Sequence, residues 1–399
     1  MQIPKACRFP FLIFLGITLI FSACKPYTSE YTAIEPLGIH PNGTLFIGME
    51  SCTQCHIDIV NTHKTTAHWL TSKKLTAVSA TDFLKSKDNF FTLRDQTQLT
   101  FTFQNDTLYQ EVFKPPYNRP FFKKPLDIII GSGNKIGNSF LSWEDRSLFQ
   151  LQGSFYTPDL KWINSPGYPP FFQPYRPIFP RCLECHTTFS QSENWQSNIP
   201  TNRYNKENIV FGIDCQRCHG DVVDHVSYHR EHPMDSIGRK IISYAEFSQQ
   251  QRIDMCALCH SGVGNNINQP AFSFSPGDNL NLYLSTETNQ EPDVHSNQVG
   301  LLEMSPCFIN SKGMDCMSCH DPHANESNQT QKFNNSCIEC HSNPKHTTFS
   351  SQDNENCVSC HMPIMPSKLM KIQIDQDSIS PVWVRTHRIG IYKEDDLVK

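Results

Sequence analysis

The motif Cys-x-x-Cys-His occurs seven times in this chain of 399 residues. Histidine occupies 17 positions in total, so its presence directly after all seven cysteine pairs is not a chance pattern. Two thiols three positions apart reach the two vinyl groups on one edge of a porphyrin, and the next imidazole binds the iron. The pattern predicts seven covalently bound haem c groups with iron, and a chain that folds around them.

The predicted site residues are those of the motifs themselves. Covalent attachment is assigned to Cys52, Cys55, Cys182, Cys185, Cys215, Cys218, Cys256, Cys259, Cys316, Cys319, Cys337, Cys340, Cys357 and Cys360. Proximal ligation of the iron is assigned to His56, His186, His219, His260, His320, His341 and His361.

Other uses of paired cysteines fit this sequence less well. A zinc ribbon pairs two cysteine knuckles for each metal, and seven knuckles do not pair evenly. A redox-active pair is expected once, at the start of a helix. Structural disulfides suit an exported protein but do not explain the histidines. Outside the motifs, we interpret Cys307 as a small buried apolar side chain.

The first residues have the pattern of an export signal. Lys5 and Arg8 precede an apolar run over 9–21, and Ser22-Ala23-Cys24 has the form of a lipoprotein cleavage site. The run is shorter than the roughly 20 residues that a spanning helix needs. We expect acylation of Cys24 and an exported bacterial lipoprotein at a periplasm-facing membrane surface. Simple secretion or an uncleaved anchor is the alternative.

The spacing of the motifs divides the rest of the chain. The first two motifs begin 130 residues apart, whereas the later gaps run from 20 to 60 residues. Alternating segments within the long gap, such as 99–103 and 109–113, predict short strands, with a hairpin turn at Asn105-Asp106. The predicted divisions are a signal peptide at 1–23, a tether at 24–45, a first haem segment at 46–87, a β-rich insertion with a proline-rich connector at 88–180, and a six-haem domain at 181–399.

The predicted fold class is a multihaem cytochrome c. We expect short α-helices and long loops around seven haems, with a helix over 243–258 and a small β-rich insertion after the first haem. Only 38% of the residues are hydrophobic, which is low for a chain of this size unless apolar cofactors fill part of its core. A net charge of −5 provides no basic surface for nucleic acid, so that partner class is excluded.

At several of these motifs the chain resembles the multihaem cytochrome c554/c-prime family of exported electron-transfer proteins. The similar segments are Gly48-x-x-Ser51-Cys52 with Thr66-Ala67-His68, Cys218-His219-Gly220 with His225 and His229, Cys319-His320-Asp321-Pro322-His323, and Arg385-Thr386-His387. The resemblance extends over nearly all of residues 46–390. His63 stands where a tryptophan is common in the family.

Ten histidines outside the motifs are candidates for the second axial ligand of each iron. The resemblance implies this role for His68, His225 and His387. His323, three residues after His320, occupies a recurrent ligand position in paired haem motifs. The candidate distal ligands are His68, His225, His229, His295, His323, His346 and His387.

The second ligand separates a carrier from an enzyme. An iron with two histidines exchanges electrons with little rearrangement but has no open position for a substrate. The expected function is electron transfer between respiratory components, with unidentified redox proteins as donor and acceptor and with membrane contact through the lipid anchor. Related haem nitrite reductases carry lysine in place of one motif histidine, a change that is not found here. A reductase or oxidase of a small nitrogen or sulfur compound with one open haem, or a subunit of a haem wire, remains an alternative.

Overall fold

A computed structural model describes residues 35–131, 136–195, 199–262, 266–285, 291–342 and 356–393. The chain divides into a unit at Met1–Glu35 and a unit at Pro36–Lys399. Except for Glu35, the first unit falls outside the described residues, and so does Cys24. The proposed signal and lipidation site therefore stay predictions.

The described part of the larger unit contains eighteen strands. They are β1 (Gly38–Ile39), β2 (Leu45–Phe46), β3 (Ser72–Lys74), β4 (Phe90–Thr92), β5 (Gln98–Gln104), β6 (Thr107–Phe113), β7 (Phe122–Pro125), β8 (Ile128–Gly131), β9 (Gly137–Glu144), β10 (Ser147–Tyr156), β11 (Lys161–Asn164), β12 (Arg176–Pro177), β13 (Thr187–Ser192), β14 (Tyr204–Phe211), β15 (Asn266–Ile267), β16 (Leu284–Ser285), β17 (Ile364–Gln373) and β18 (Ile379–Arg385).

Two of the sheets organise the molecule. The larger has eight strands in the order β18-β17-β11-β10-β9-β8-β3, with β12 also paired to β10. The smaller has four strands in the order β4-β5-β6-β7. Three further strand pairs, β1-β2, β13-β14 and β15-β16, are separate.

Strands β4 to β12 lie within the predicted β-rich insertion, and they enclose a core of side chains to which Phe83, before the insertion, also contributes. Phe101 stacks on Trp162 with ring centres 3.3 Å apart, and Phe83, Phe140 and Phe155 surround the indole. The hairpin turn at Asn105-Asp106 is confirmed, because both residues have positive φ angles, as a two-residue turn of this kind requires. The sequence did not predict β7 or β9, whose lysine, serine and asparagine residues weaken the apolar alternation.

The helices are short. The α-helices are α1 (Glu50–His63), α2 (Ala77–Ala80), α3 (Pro180–Glu184), α4 (Cys215–His219), α5 (Val223–Glu231), α6 (Gln249–His260), α7 (Gln298–Glu303), α8 (Pro306–Asn310), α9 (Thr330–Cys340) and α10 (Cys357–His361). The 3-10 turns are Trp69–Thr71, Thr81–Lys85, Tyr244–Glu246, Leu280–Leu282 and Cys316–Ser318. Within the described ranges, none of the helices combines the length and apolar character needed to cross a bilayer.

The expectation of helices and loops throughout 181–399 was wrong in three places, of which the shortest is the strand pair β15-β16 between the fourth and fifth motifs. Strands β13 and β14 connect the second and third motifs, and β17 and β18 follow the seventh. Strand β13 is buried along most of its length, which favours sheet pairing over an amphipathic helix with one solvent-exposed face.

The helix expected over 243–258 begins only at Gln249, because Ser248 caps it in a reciprocal pair of hydrogen bonds with Gln251.

The large sheet crosses the boundary predicted at residue 180. Asn164 at the end of β11 pairs with Gln373 at the end of β17, and their side chains share a buried hydrogen bond of 2.8 Å. The hairpin β17-β18 leads directly to His387. The insertion therefore supports a segment that carries one of the candidate ligands.

Candidate haem-binding site

Each of the seven motifs contains a helical turn. The first lies in α1, the second begins in α3, the third forms α4, the fourth and sixth end α6 and α9, the fifth is a 3-10 turn and the seventh forms α10. Residues i and i+3 of a helical turn lie on the same face, so the two thiols of a motif point to the same side. All fifteen cysteines of the described residues are unbridged.

Thiols from different motifs lie close to one another. Four pairs are close enough for a thiol–thiol hydrogen bond, namely Cys52 with Cys215, Cys185 with Cys259, Cys256 with Cys316, and Cys337 with Cys357. Cys218 also lies near Cys256, and Cys319 lies near Cys337. The second motif therefore meets the fourth, while the first, third, fourth, fifth, sixth and seventh form a continuous series.

Four motif histidines face a histidine from outside the motifs. The ring centres are 6.4 Å apart for His56 and His225, 6.3 Å for His260 and His68, 6.2 Å for His219 and His323, and 6.0 Å for His320 and His387. Each pair joins segments that are distant in sequence. His68 and His323, for example, face the fourth and third motifs and not the motifs that precede them.

This spacing fits an iron atom held between two imidazoles. With metal–nitrogen bonds of about 2 Å and about 1.1 Å from each nitrogen to its ring centre, two opposite imidazoles place their ring centres about 6 Å apart.

Several candidate ligands use their Nδ1 atom in a hydrogen bond. Nδ1 of His225 donates to the carbonyl oxygen of Arg239 at 2.6 Å, and Nδ1 of His361 donates to that of Gly390 at 2.8 Å. In His186, Nδ1 lies 2.9 Å from the hydroxyl oxygen of Thr71. Such bonds fix the orientation of a metal-binding imidazole and leave Nε2 for the metal.

Burial keeps several of these imidazoles neutral. Burial, together with the neighbouring His260, lowers the pKa of His68 to about 4. Burial alone lowers the pKa of His186 to about 4, and burial with the neighbouring His320 has the same effect on His387. Because the neutral form of imidazole binds metals, these sites are ready to act as ligands near neutral pH.

Two of the predicted distal ligands, His229 and His295, are not placed opposite a motif histidine. The His229 ring lies 4.6 Å from His225, and its Nε2 accepts a hydrogen bond from the backbone N–H of Arg239. His295 is half-buried in the loop before α7, and within the described ranges no histidine ring faces it. His346 lies outside the described residues.

His63 occupies a buried position near the third site but is engaged elsewhere. Its ring centre is 6.4 Å from that of His323. Its two nitrogens, however, face backbone carbonyl oxygens, with Nε2 2.9 Å from that of Ile213 and Nδ1 3.2 Å from that of Pro322. The nitrogen that carries the proton donates to its carbonyl oxygen, and neither nitrogen faces a motif histidine, so we assign His63 a structural role.

The second motif differs from the four that have facing histidines. His186 is held by Thr71, and the hydroxyl of Ser72 donates to its carbonyl oxygen. Among the described residues, no histidine ring faces His186 at the 6 Å spacing. For the sixth and seventh motifs, the adjoining segment 343–355, which includes His346, lies outside the described residues.

A buried ionic network connects the second, third and fourth motifs. The carboxylate of Glu184 accepts hydrogen bonds from Arg181 and from the backbone N–H of Phe272, both at 2.6 Å. Arg181 also donates to the carbonyl oxygen of Leu258, and Arg217 donates to that of Glu184. Since Glu184, Arg217 and Leu258 each lie between the cysteines of a motif, the network fixes three motifs relative to one another.

A second ion pair joins the fourth and fifth motifs. Asp315 caps the turn at Cys316–Ser318, and its other oxygen accepts a hydrogen bond of 2.6 Å from Arg252 in α6. Neither network was predicted from the sequence. The position of Asp315 directly before the fifth motif could have predicted that it caps the turn, because aspartate is a favoured N-cap residue. Nothing in the sequence indicated the partners of Glu184, which are distant along the chain.

Comparisons with known proteins agree with this description. The family model for cytochrome c554 and c-prime matches residues 173–220, which contain the second and third motifs. The crystal structure of the outer cell wall cytochrome OcwA is similar to this fold, with a TM-score of 0.56 and 13% sequence identity, over 88% of this chain and 80% of that chain. No curated protein matches the sequence significantly.

The motifs, the family match and the fold define a multihaem c-type cytochrome, an electron-transfer protein with covalently bound haem c. Within that class, the chain resembles the cytochrome c554/c-prime family.

The Glu184 network yields a test of stability. Glu184→Gln leaves Arg181 and Arg217 buried without their counter-charge, so we expect the free energy of unfolding to fall by about 3 kcal/mol. The denaturation midpoints of the haem-loaded proteins would be compared at equal haem content. The control is Glu50→Gln, which removes an exposed ion pair with Lys64 and should cost less than about 1 kcal/mol. Equal midpoints for the two variants would show that the network does not stabilise the protein.

Proposed function

We propose that this protein is a heptahaem electron carrier, anchored by lipid at the periplasmic side of a membrane, that relays electrons between respiratory components. The observation that carries the proposal is the set of four facing histidine pairs at 6.0–6.4 Å. Bound haem supplies a one-electron iron couple. Two histidines on opposite sides of the metal exclude substrate and limit rearrangement between the oxidised and reduced states.

The positions of the cysteines indicate a route for electrons. Contact between Cys52 and Cys215 would bring together the edges of haems attached at the first and third motifs, and contact between Cys256 and Cys316 would do the same at the fourth and fifth. The proximity of Cys218 to Cys256 links these two pairs. We infer a relay that runs from the first motif through the third, fourth, fifth and sixth to the seventh, with the second as a branch at the fourth.

The decisive experiment removes one proposed distal ligand. His323→Ala should convert the haem bound by His219 from low spin to high spin, because its second imidazole is lost. Electron paramagnetic resonance of the ferric protein would show one new high-spin signal for each molecule. His232→Ala is the matched control, because His232 is exposed, is not an assigned ligand and has its Nδ1 on the carbonyl oxygen of Tyr228, so its spectrum should remain that of the wild type. An unchanged spectrum for His323→Ala would refute the ligand assignment and with it the carrier proposal for that site.

Anchoring at the membrane rests on the sequence of the first residues. Acylation of Cys24 would hold the protein at the surface where it meets its donor. Cys24→Ser should release haem-loaded protein into the soluble fraction, and the wild type should have a lipid-modified N-terminus by mass spectrometry. An unmodified mature N-terminus at another residue would rule out the anchor.

A second function is favoured by the surroundings of His186. Since within the described part of the chain no histidine faces it, the iron at the second motif is a candidate for an open position that binds a small nitrogen or sulfur compound. Its place as a branch at the fourth motif would supply it with electrons. The alternative function is a reductase or oxidase that uses this site.

The alternative predicts a high-spin signal in the native ferric protein that cyanide abolishes. Thr71→Val removes the hydroxyl partner of His186, so it should alter the cyanide affinity of that signal. The matched control is Thr62→Val, an exposed threonine in α1 that bonds only to its own helix. A native protein with low-spin haem alone, and without cyanide binding, would exclude this function.

A further inference from the structure

The histidine of the fifth motif has a carboxylate partner. Nδ1 of His320 lies 2.7 Å from Oε2 of Glu326, whose side chain is only 15% exposed. The other oxygen of Glu326 accepts a hydrogen bond of 2.7 Å from the backbone N–H of Asp321, and it also accepts one from Lys332. Glu326 is therefore held in place by three donors from two segments of the chain.

The other Nδ1 partners described above are neutral groups. His225 and His361 donate to backbone carbonyl oxygens, and His186 pairs with a hydroxyl. Nδ1 of His323 lies 3.3 Å from Oδ1 of Asp321, farther than His320 from Glu326, and this carboxylate is about half exposed. The short contact with a buried carboxylate thus distinguishes His320 from these ligands.

Glu326 is an anion in this setting. Both of its oxygens accept hydrogen bonds, one from His320 and the other from the Lys332 ammonium and the N–H of Asp321, so the side chain is placed as an ionised carboxylate. A charged acceptor makes a hydrogen bond about twice as strong as a neutral one. It draws the Nδ1 proton of His320 toward itself and increases the electron density that the ring offers to a metal.

We propose that Glu326 positions His320 and lowers the reduction potential of the haem bound at the fifth motif. The inference rests on the proposed function, because it takes His320 as an iron ligand. Greater ligand basicity and a nearby negative charge both favour the ferric over the ferrous state. The fifth motif lies between the fourth and the sixth in the inferred relay, so the potential of its haem affects electron transfer in both directions.

Glu326→Gln tests the inference because it removes the charge and keeps the shape. We expect the reduction equilibrium of one haem to change roughly tenfold toward the ferrous form, which is about 59 mV for a one-electron couple. The readout is a redox titration of the haem-loaded protein followed by electron paramagnetic resonance. The affected haem should stay low spin, with altered g values that report a less basic imidazole.

The matched control is Glu339→Gln. Both Glu326 and Glu339 lie close to Cys319 of the fifth motif. Burial raises the pKa of Cys319, and the two nearby carboxylates contribute to the same shift. Glu339 is exposed, and within the described residues it makes no hydrogen bond to His320. A shift in Glu326→Gln that clearly exceeds the shift in Glu339→Gln supports the hydrogen-bonded role. Equal shifts, or none, overturn it.

Two further measurements keep the inference separate from the proposed function. A fifth-motif haem that is high spin in the wild type would overturn the histidine pairing itself, and with it the role of Glu326. Low-spin haem with an unchanged potential in Glu326→Gln would overturn only the role of Glu326. Should Glu326→Gln fail to incorporate haem, Glu326→Asp retains the charge at a greater distance and should give a smaller shift in the same direction. An unshifted Glu326→Asp would then count against the inference.

Discussion

The distance of about 6 Å between facing imidazole rings is the constraint on which the arrangement of the chain depends. Two such pairs join α1 to α5 and the segment before β3 to α6. The other two join α4 to the loop after the fifth motif, and the fifth motif to the residues after β18. Loops of this length cost entropy to close. In the proposed holoprotein, coordination to iron and covalent attachment of the porphyrin offset that cost, because the loops have few apolar side chains of their own to bury.

The molecule accordingly has two kinds of interior. Around the β-rich insertion, the interior consists of side chains such as Leu93, Leu99 and Phe140, which are completely buried. Around the motifs, clusters of apolar side chains are smaller, and thiols and neutral histidines occupy the centre. The low hydrophobic fraction of the whole chain is an average over these two regions. Ionic networks centred on Glu184 and Asp315 hold the second region together where apolar packing is sparse.

The sequence was most informative where a local pattern determines the chemistry. The spacing of Cys215, Cys218 and His219 is sufficient to indicate an attached haem, and alternating residues indicated strands β5 and β6. Distal ligands are harder to predict, because the tertiary structure decides which histidine comes to face the histidine of a motif, as it does for His260. Both His68 and His229 were candidates from the sequence, yet only His68 is placed opposite a motif histidine. Strands β13 and β17 were missed because their pairing depends on segments that are remote along the chain.

The facing histidines also impose an order on maturation. Their pairs interlace along the chain, since the segment from His56 to His225 overlaps that from His68 to His260, and the segment from His219 to His323 overlaps that from His320 to His387. Along the chain, the first, third and fifth motifs precede the histidines that face them, whereas His68 precedes the fourth motif that it faces. As the chain grows from its N-terminus, the pair of His320 and His387 would therefore close last, when the residues after β18 become available.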